Sequence, residues 1–187
     1  MRLKVNFFNR DTVIVAKELL GKYLCRKIGN KVVRVKITET EAYCGIKDKA
    51  CHASKGLTPR TKIMFGHPGY AYVYMIYGMY YCINFTTEIV GQPGAVLIRA
   101  VEPLSGVAEM KKRRKTDKII NLCSGPGKLC SALGIGKKHN GLKLGKEIKV
   151  FDDGSKVGKI RTSSRIGIKD ALDLQWRFFV EGNEWVS

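Results

Sequence analysis

The sequence predicts an α+β fold in a single domain, residues 1–187, with a mostly antiparallel β-sheet and helices beside it. A chain of 187 residues fits one domain, and its 44% of hydrophobic residues can fill a core at this length. Segments with strand patterns and segments with helix patterns do not alternate regularly, as a doubly wound parallel sheet would require. The first observation favours a single domain, and the second favours an antiparallel sheet.

The first 43 residues predict a helix and then a strand. In NRDTVIVAKELLGKYL, either Asn9 or Asp11 can cap a helix, apolar residues recur on one face, and Gly21 provides a stop. Residues 31–43 alternate as a strand does. The alternation predicts one face made of Val33, Val35, Ile37, Glu39, Glu41 and Tyr43. A loop rich in Gly, Pro, Ser and Thr then runs from 44 to 68, and loops of this length are usually functional or mobile.

The middle of the chain predicts a β-hairpin, a further strand and two helices. Strands at 70–77 and 79–86 would form the hairpin, and GAVLIRAVEP would form the next strand. LSGVAEMKKRRK predicts a helix that ends in a basic block. SGPGKLCSALGIG predicts a second helix from a set of local signals: Ser124 or Gly125 as the cap, Pro126 in the first turn and Gly134 past the end. Short strands and glycine turns follow, with WRFFV as the last strand.

The charge of the chain points to an anionic partner. Its formal net charge is +18, and residues 110–150 carry twelve Lys and Arg against two acidic residues. Such a surplus suits nucleic acid or an anionic surface, and Lys128 in the first turn of a helix could contact phosphate. A lysine-rich solvated surface is the alternative.

Other classes of protein are disfavoured by the composition. We find no secretory signal, and the uncharged stretch 68–87 is too polar to cross a membrane. The six cysteines show no zinc-finger spacing, and we expect reduced thiols, no metal and a cytoplasmic protein.

Three polar side chains stand where chemistry is possible. Glu41 lies near the end of its predicted strand, where a partly desolvated carboxylate could act as an acid or base; a frayed, solvated strand end is the alternative. Arg99 lies in an apolar strand and needs a partner such as Glu41 or Glu102. His52 is either a packed loop histidine or a catalytic one.

Six of the eight tyrosines fall within residues 70–81. The strand period puts Tyr72 and Tyr74 on one face, and Tyr77 on the other, beside Gly78 at the predicted turn. An aromatic ring at a hairpin tip suits stacking on bases or wedging between them. An exposed tyrosine without a role is the alternative.

The motifs together identify a family by resemblance. ETEAYCGIKDKACHASKGLTPRTKIMFGHPGYAYVYMIYGMYYCINF, VLIRAVEP, LCSGPGKLCSALGI, RIGI and GNEWVS occur in this order, and they closely resemble the alkyladenine (3-methyladenine) DNA glycosylase family. The resemblance implies a compact domain with a curved antiparallel sheet and a protruding hairpin. It implies a monomeric enzyme without cofactor that flips damaged purines (alkylated adenine, hypoxanthine, etheno-type adducts) out of double-stranded DNA and hydrolyses the N-glycosidic bond.

The resemblance also implies a role for each motif residue. Glu41 would activate water and Arg99 would help to hold it; Tyr43, His52 and Tyr74 would line the base pocket. Tyr77 would fill the gap in the duplex, Asn84 would exclude the amino group of guanine, and Arg60 and Lys128 would contact the DNA backbone. None of the residues that would contact the base or the attacking water is a lysine, so strand cleavage through an imine is not expected. Tyr80 departs from the family, in which histidine is common at that position. The competing interpretation is a non-catalytic nucleic-acid-binding domain, for which Glu41 would be dispensable.

Overall fold

The fold is a curled antiparallel β-sheet, a half-barrel, with four short helices around it. The computed structural model describes residues 1–187. The strands are β1 (Tyr23–Ile28), β2 (Lys31–Tyr43), β3 (Ala71–Ile76), β4 (Tyr80–Thr87), β5 (Gly94–Ser105), β6 (Ile148–Phe151), β7 (Ile160–Ser163) and β8 (Arg177–Val180). The helices are α1 (Val5–Phe8), α2 (Thr12–Glu18), α3 (Val107–Arg114) and α4 (Pro126–Ala132), with 3₁₀ turns at His52–Lys55, Ile119–Asn121 and Lys137–His139. The predicted α+β fold with an antiparallel sheet is confirmed.

The long strand β2 organises the sheet. The main order is β3-β4-β5-β2-β1-β6, and β8 pairs with both β2 and β7. Every pairing is antiparallel. β1 pairs with residues 31–36 of β2 and β8 pairs with residues 39–41, while β5 follows β2 from 34 to 43. The end of β2 is therefore enclosed between β5 and β8, which buries the two glutamates that it carries.

The alternation of β2 is interrupted, and one prediction from it is wrong. Thr38 has no partner between the pairs Ile37↔Val101 and Glu39↔Ala100, so β2 holds an extra residue there. A bulge of this kind shifts the following side chains to the opposite face. Ala42 accordingly packs in the same core as Val35 and Ile37, and Thr40 donates a hydrogen bond to the Ala16 carbonyl. Glu41 lies on the opposite face of β2. The alternation predicts it on the apolar face with Val35 and Ile37, and that prediction is wrong.

Local signals set the ends of the helices. The Asp11 side chain caps α2 by accepting a hydrogen bond from the Ile14 N–H at 2.9 Å. The helix ends at Glu18, shortly before the predicted stop at Gly21, and β1 begins at Tyr23. Gly21 between them has φ +78°, and a Cβ there would lie 2.5 Å from Val157. Pro126 occupies the first turn of α4, as predicted.

The hairpin joining β3 and β4 has a strained tip. The Met79 N–H donates to the Ile76 carbonyl, and both residues between them, Tyr77 and Gly78, have positive φ. Two positive φ angles are what the tight hairpin turns require, and glycine accepts them freely while tyrosine rarely does. The turn thereby holds Tyr77 outward, with 82% of its surface exposed.

Two hydrophobic clusters support the sheet. A core of 28 buried residues lies between the sheet and the helices. A smaller cluster under the loop between β2 and β3 contains Cys51, Ala53, Met64, Tyr72 and Ala95. All six cysteines are free. None of the helices combines the length and the apolar character needed to cross a membrane.

Candidate active site

A cavity of about 690 Å³ opens between the loop after β2, the strands β3 to β5 and the segment 166–170. Its size lies within the range usual for small-molecule sites. Most residues singled out from the sequence line this cavity: Tyr43, His52, Arg60, Tyr74, Tyr77, Asn84 and Arg99. Glu41 lies directly behind them, in contact with three lining residues. Lys128 is half-buried on α4 and does not line the cavity, and its amine donates to the Ser124 hydroxyl at 3.3 Å.

The Glu41 carboxylate has no exposed surface and is held at both oxygens. Oε1 accepts a hydrogen bond from the backbone N–H of Ile166 at 2.7 Å and lies 3.3 Å from Nη1 of Arg99. Oε2 accepts a hydrogen bond from the Tyr43 hydroxyl at 2.8 Å. Because these contacts compensate the burial of a carboxylate, the Glu41 side chain is fixed in orientation beside the cavity.

The groups around Glu41 keep the protonation states that this arrangement needs. Burial, reinforced by the Glu41 charge, raises the pKa of Tyr43 well above its usual range, so its hydroxyl remains a donor. Burial alone would lower the pKa of Arg99, but Glu41 and Glu39 outweigh it and raise that pKa. Arg99 is therefore a permanent cation next to Glu41.

A buried ion pair supports Tyr43 from behind. Arg165 binds both carboxylate oxygens of Asp48, at 2.5 and 2.8 Å, and its guanidinium lies 4.8 Å from the centre of the Tyr43 ring. Both charged side chains are fully buried. Since Arg165 adjoins Ile166, the same short segment anchors the tyrosine ring and supplies an N–H to Glu41.

Histidine and tyrosine rings form one wall of the cavity. Nδ1 of His52 lies 2.8 Å from the Tyr72 hydroxyl, and the His52 and Tyr74 ring centres are 4.7 Å apart. Burial lowers the pKa of His52 to about 4, helped by the charges of Arg60 and Lys55. The imidazole is therefore neutral at neutral pH. Arg60 lies 4.9 Å from the Tyr74 ring centre and 3.4 Å from Nε2 of His52, beside the aromatic wall.

Asn84 is fixed on the neighbouring strand. It is 3% exposed and sits opposite Tyr72 on β3 and Leu97 on β5. Its Nδ2 donates to the Tyr72 carbonyl at 3.0 Å, which determines the amide orientation because a carbonyl can only accept. The amide is thus a rigid part of the cavity wall.

The site includes residues that the sequence had not identified as functional. Ile166 contributes only its backbone N–H, so no side-chain pattern could have revealed it. Tyr72 had been noted only for sharing a face with Tyr74, which was the signal available for its contact with His52. Arg165 and Asp48 come from segments 117 positions apart, and only the fold pairs them. No group of three or more His, Cys, Asp and Glu side chains is placed to hold a metal ion.

Comparison with known proteins gives consistent matches along the chain. A family model described as methylpurine-DNA glycosylase matches residues 6–184. A protein of Alkaliphilus oremlandii (strain OhILAs) is 46% identical over 200 residues, covering 100% of this chain and 99% of the relative. A protein of Methanocella arvoryzae is 48% identical over 188 residues, covering 97% of this chain and 94% of the relative. Both relatives bear the provisional name 3-methyladenine DNA glycosylase.

Proposed function

Because the chain belongs to the methylpurine-DNA glycosylase family, we propose that it removes damaged purines from double-stranded DNA by hydrolysing the bond between base and deoxyribose. Membership implies a hydrolase that binds DNA. The damaged bases proposed as substrates are alkylated adenines, hypoxanthine and etheno-type adducts. The observation that carries the proposal is the Glu41 carboxylate, which is held by two hydrogen bonds and by the Arg99 guanidinium behind a cavity of about 690 Å³ with aromatic walls.

Glu41 would act as the general base. A carboxylate with fixed orientation can hold a water molecule and take its proton as the water oxygen bonds to the sugar carbon. The bond to the base breaks in the same reaction, and the base leaves with the electron pair. Tyr43, the Ile166 N–H and Arg99 keep the carboxylate in place, while Arg99 adds a positive charge that helps to orient the water.

The aromatic walls would hold the flipped base. Tyr43 and Tyr74 present rings on which a purine can stack, and such stacking stabilises a base by about 1–3 kcal/mol. A base carrying a positive charge from alkylation would gain cation–π attraction from the same rings. Nε2 of the neutral His52 faces the guanidinium of Arg60, which can only donate, so this nitrogen is an acceptor and the ring proton lies on Nδ1, toward the Tyr72 hydroxyl.

The hairpin would open the duplex. Tyr77 is 82% exposed at its tip, and its ring can fill the space that a flipped nucleotide leaves. Extruding a nucleotide costs a few kcal/mol, and the cost is lowest for a damaged or mispaired base. Arg60 and Lys128 would contact the DNA backbone, and the surplus of positive charge would add non-specific affinity.

A hydrolytic route without a covalent intermediate fits the nucleophiles present. Burial raises the pKa of both Cys51 and Cys82, which line the cavity, to about 11, so their thiols stay protonated. The lining lysines Lys49, Lys55 and Lys169 are exposed, whereas a nucleophilic amine is usually desolvated. We therefore propose no lyase activity. We further propose that the protein acts as a monomer without cofactor, in the cytoplasm or on the nucleoid.

Base release from defined duplexes tests the proposal. The protein is incubated with duplexes carrying one hypoxanthine or one ethenoadenine, followed by hot alkali and a denaturing gel, with undamaged duplex as the control. We expect cleavage at the lesion only after alkali, and no protein–DNA adduct with borohydride. Tight binding of the lesion duplex without base release would instead support a non-catalytic binding domain.

A further inference from the structure

Glu39 is a second buried carboxylate, two residues before Glu41 on β2. It has no exposed surface, which is costly for a charge unless donors compensate it. Its Oε1 accepts hydrogen bonds from Nε of Arg99 at 3.0 Å and from Nε of Arg177 at 2.5 Å. Its Oε2 accepts one from the backbone N–H of Ser187 at 2.6 Å. Glu39 therefore connects β2, β5, β8 and the segment after β8 at one point.

These contacts give each nitrogen of the Arg99 guanidinium one partner. Nε donates to Glu39, Nη2 donates to the Ser187 hydroxyl at 3.2 Å, and Nη1 lies 3.3 Å from Oε1 of Glu41. Because a guanidinium is planar and rigid, the first two contacts fix the direction in which Nη1 meets Glu41. Arg99 also stands at a bulge of β5, between the pairs that Ala100 and Ile98 make with β2.

We propose that Glu39 is a positioning residue for base excision, which holds Arg99 so that a single nitrogen meets Glu41. The inference rests on the proposed function, because it assigns Glu39 to the same reaction. Without the charge of Glu39, Glu41 would be the only carboxylate paired with Arg99. Guanidinium and carboxylate pair best through two parallel hydrogen bonds, so Arg99 would turn toward Glu41 and occupy the oxygens that the water needs.

A merely structural role for Glu39 is the competing explanation, since Arg177 and Ser187 are bound to it as well. A double-mutant cycle separates the two explanations, because residues that act through one another are not additive. Single-turnover excision from a hypoxanthine duplex is measured for the parent, Glu39→Gln, Arg99→Met and the double variant. Affinity for the lesion duplex and thermal unfolding are measured for the same four proteins.

If Glu39 acts through Arg99, Glu39→Gln slows excision about 10- to 100-fold, the effect of losing one charge-assisted hydrogen bond, and keeps lesion affinity. The double variant should be no slower than Arg99→Met alone, since Glu39 then has nothing to position. Rate losses that multiply in the double variant, or a loss of affinity that parallels the loss of rate, would overturn the inference.

A variant at Ser187 tests the inference even if Glu39→Gln does not fold. Ser187 is exposed, and Ser187→Ala removes only the hydroxyl that holds Nη2 of Arg99. We expect excision about 2- to 10-fold slower, with unchanged unfolding. Glu181→Gln is the matched control. This exposed carboxylate, away from the cavity, also binds two cations, Arg161 at 2.6 Å and Lys159 at 3.3 Å. Its loss should leave the rate of excision unchanged.

The failures of the two proposals are distinguishable. If the parent protein releases no base, the proposed function fails. If the parent releases base and Ser187→Ala, or a folded Glu39→Gln, does so at the same rate, the positioning role of Glu39 alone is refuted.

Discussion

Asn84 is held rigidly enough to decide which purine fits the cavity. Its Nδ2 is committed to the Tyr72 carbonyl at 3.0 Å, and it lies between β3 and β5, so the side chain cannot turn aside for a ligand. Guanine carries an amino group at the purine 2-position, where adenine and hypoxanthine carry none. An amide fixed next to that position would clash with the amino group and exclude guanine without weakening hypoxanthine. The change Asn84→Ser shortens the side chain and removes the amide.

Two effects of Asn84→Ser can be estimated. Burying the guanine amino group without a partner costs about 1–3 kcal/mol, so its relief should raise excision of guanine relative to hypoxanthine by about 5- to 150-fold. The lost hydrogen bond to Tyr72 is neutral and buried, and its removal should lower the free energy of unfolding by about 0.5–1.5 kcal/mol. In a chain of this size, each kcal/mol corresponds to roughly 2–4 °C in Tm. The variant should therefore fold at the assay temperature.

Single-turnover excision from matched duplexes measures the ratio directly. The two substrates carry guanine or hypoxanthine opposite thymine in the same sequence, and the parent and Asn84→Ser are compared on both. A guanine-to-hypoxanthine ratio that stays constant, in a variant that is folded and active, would refute the reasoning and make Asn84 a structural residue of β4.

Three further changes test other parts of the site. Tyr77→Asn should keep or raise Tm, because Asn tolerates the positive φ of 50° better than Tyr does. The same change should slow excision, because the ring that would fill the duplex is lost. A fall in Tm that parallels the fall in excision rate would contradict this. Tyr43→Phe keeps the ring but removes the hydroxyl that donates to Oε2 of Glu41. The rate of single-turnover excision should therefore fall about tenfold, with lesion affinity retained. An unchanged rate would show that the hydroxyl is dispensable. Because the pKa of His52 is lowered from 6.5 to about 4 in the folded protein, the unfolded chain binds its proton first as pH falls below 6.5. Tm of the parent should accordingly drop more between pH 7 and pH 5 than Tm of His52→Gln, and equal drops would contradict the lowered pKa.

Elements with local signals could be predicted from the sequence. Asp11 caps α2 because its side chain bonds an N–H three residues later, and Pro126 starts α4 because proline suits a first turn. Gly78 marks the hairpin turn for a similar local reason. β1 was not predicted: the segment read as the helix ended at Leu24 with Gly21 as its stop, and residues 25–28 were assigned to no element. Its strand conformation comes from pairing with β2 and β6, which is not visible locally.

The candidate site could be predicted as a set of residue types but not as a geometry. The motifs identified Glu41, Tyr43 and His52. The strand face predicted for Glu41 was wrong, because the bulge in β2 depends on its register with β5. The contacts that fix Glu41 come from Ile166, 125 positions away, and from Arg99. Glu39 had been noted only as part of a strand face, because its partners belong to three separate segments. Such contacts follow from the closed fold and not from spacing.

The role of Glu41 is tested most directly by Glu41→Gln, which keeps the shape of the side chain and removes its charge. Equilibrium binding to a hypoxanthine duplex and single-turnover release of the base are measured for the parent and the variant under the same conditions. Because the carboxylate acts on the water and not on the bound base, the variant should keep lesion affinity and lose excision at least about a hundredfold. Release of hypoxanthine by Glu41→Gln at the rate of the parent would contradict the assignment of Glu41 as the catalytic base.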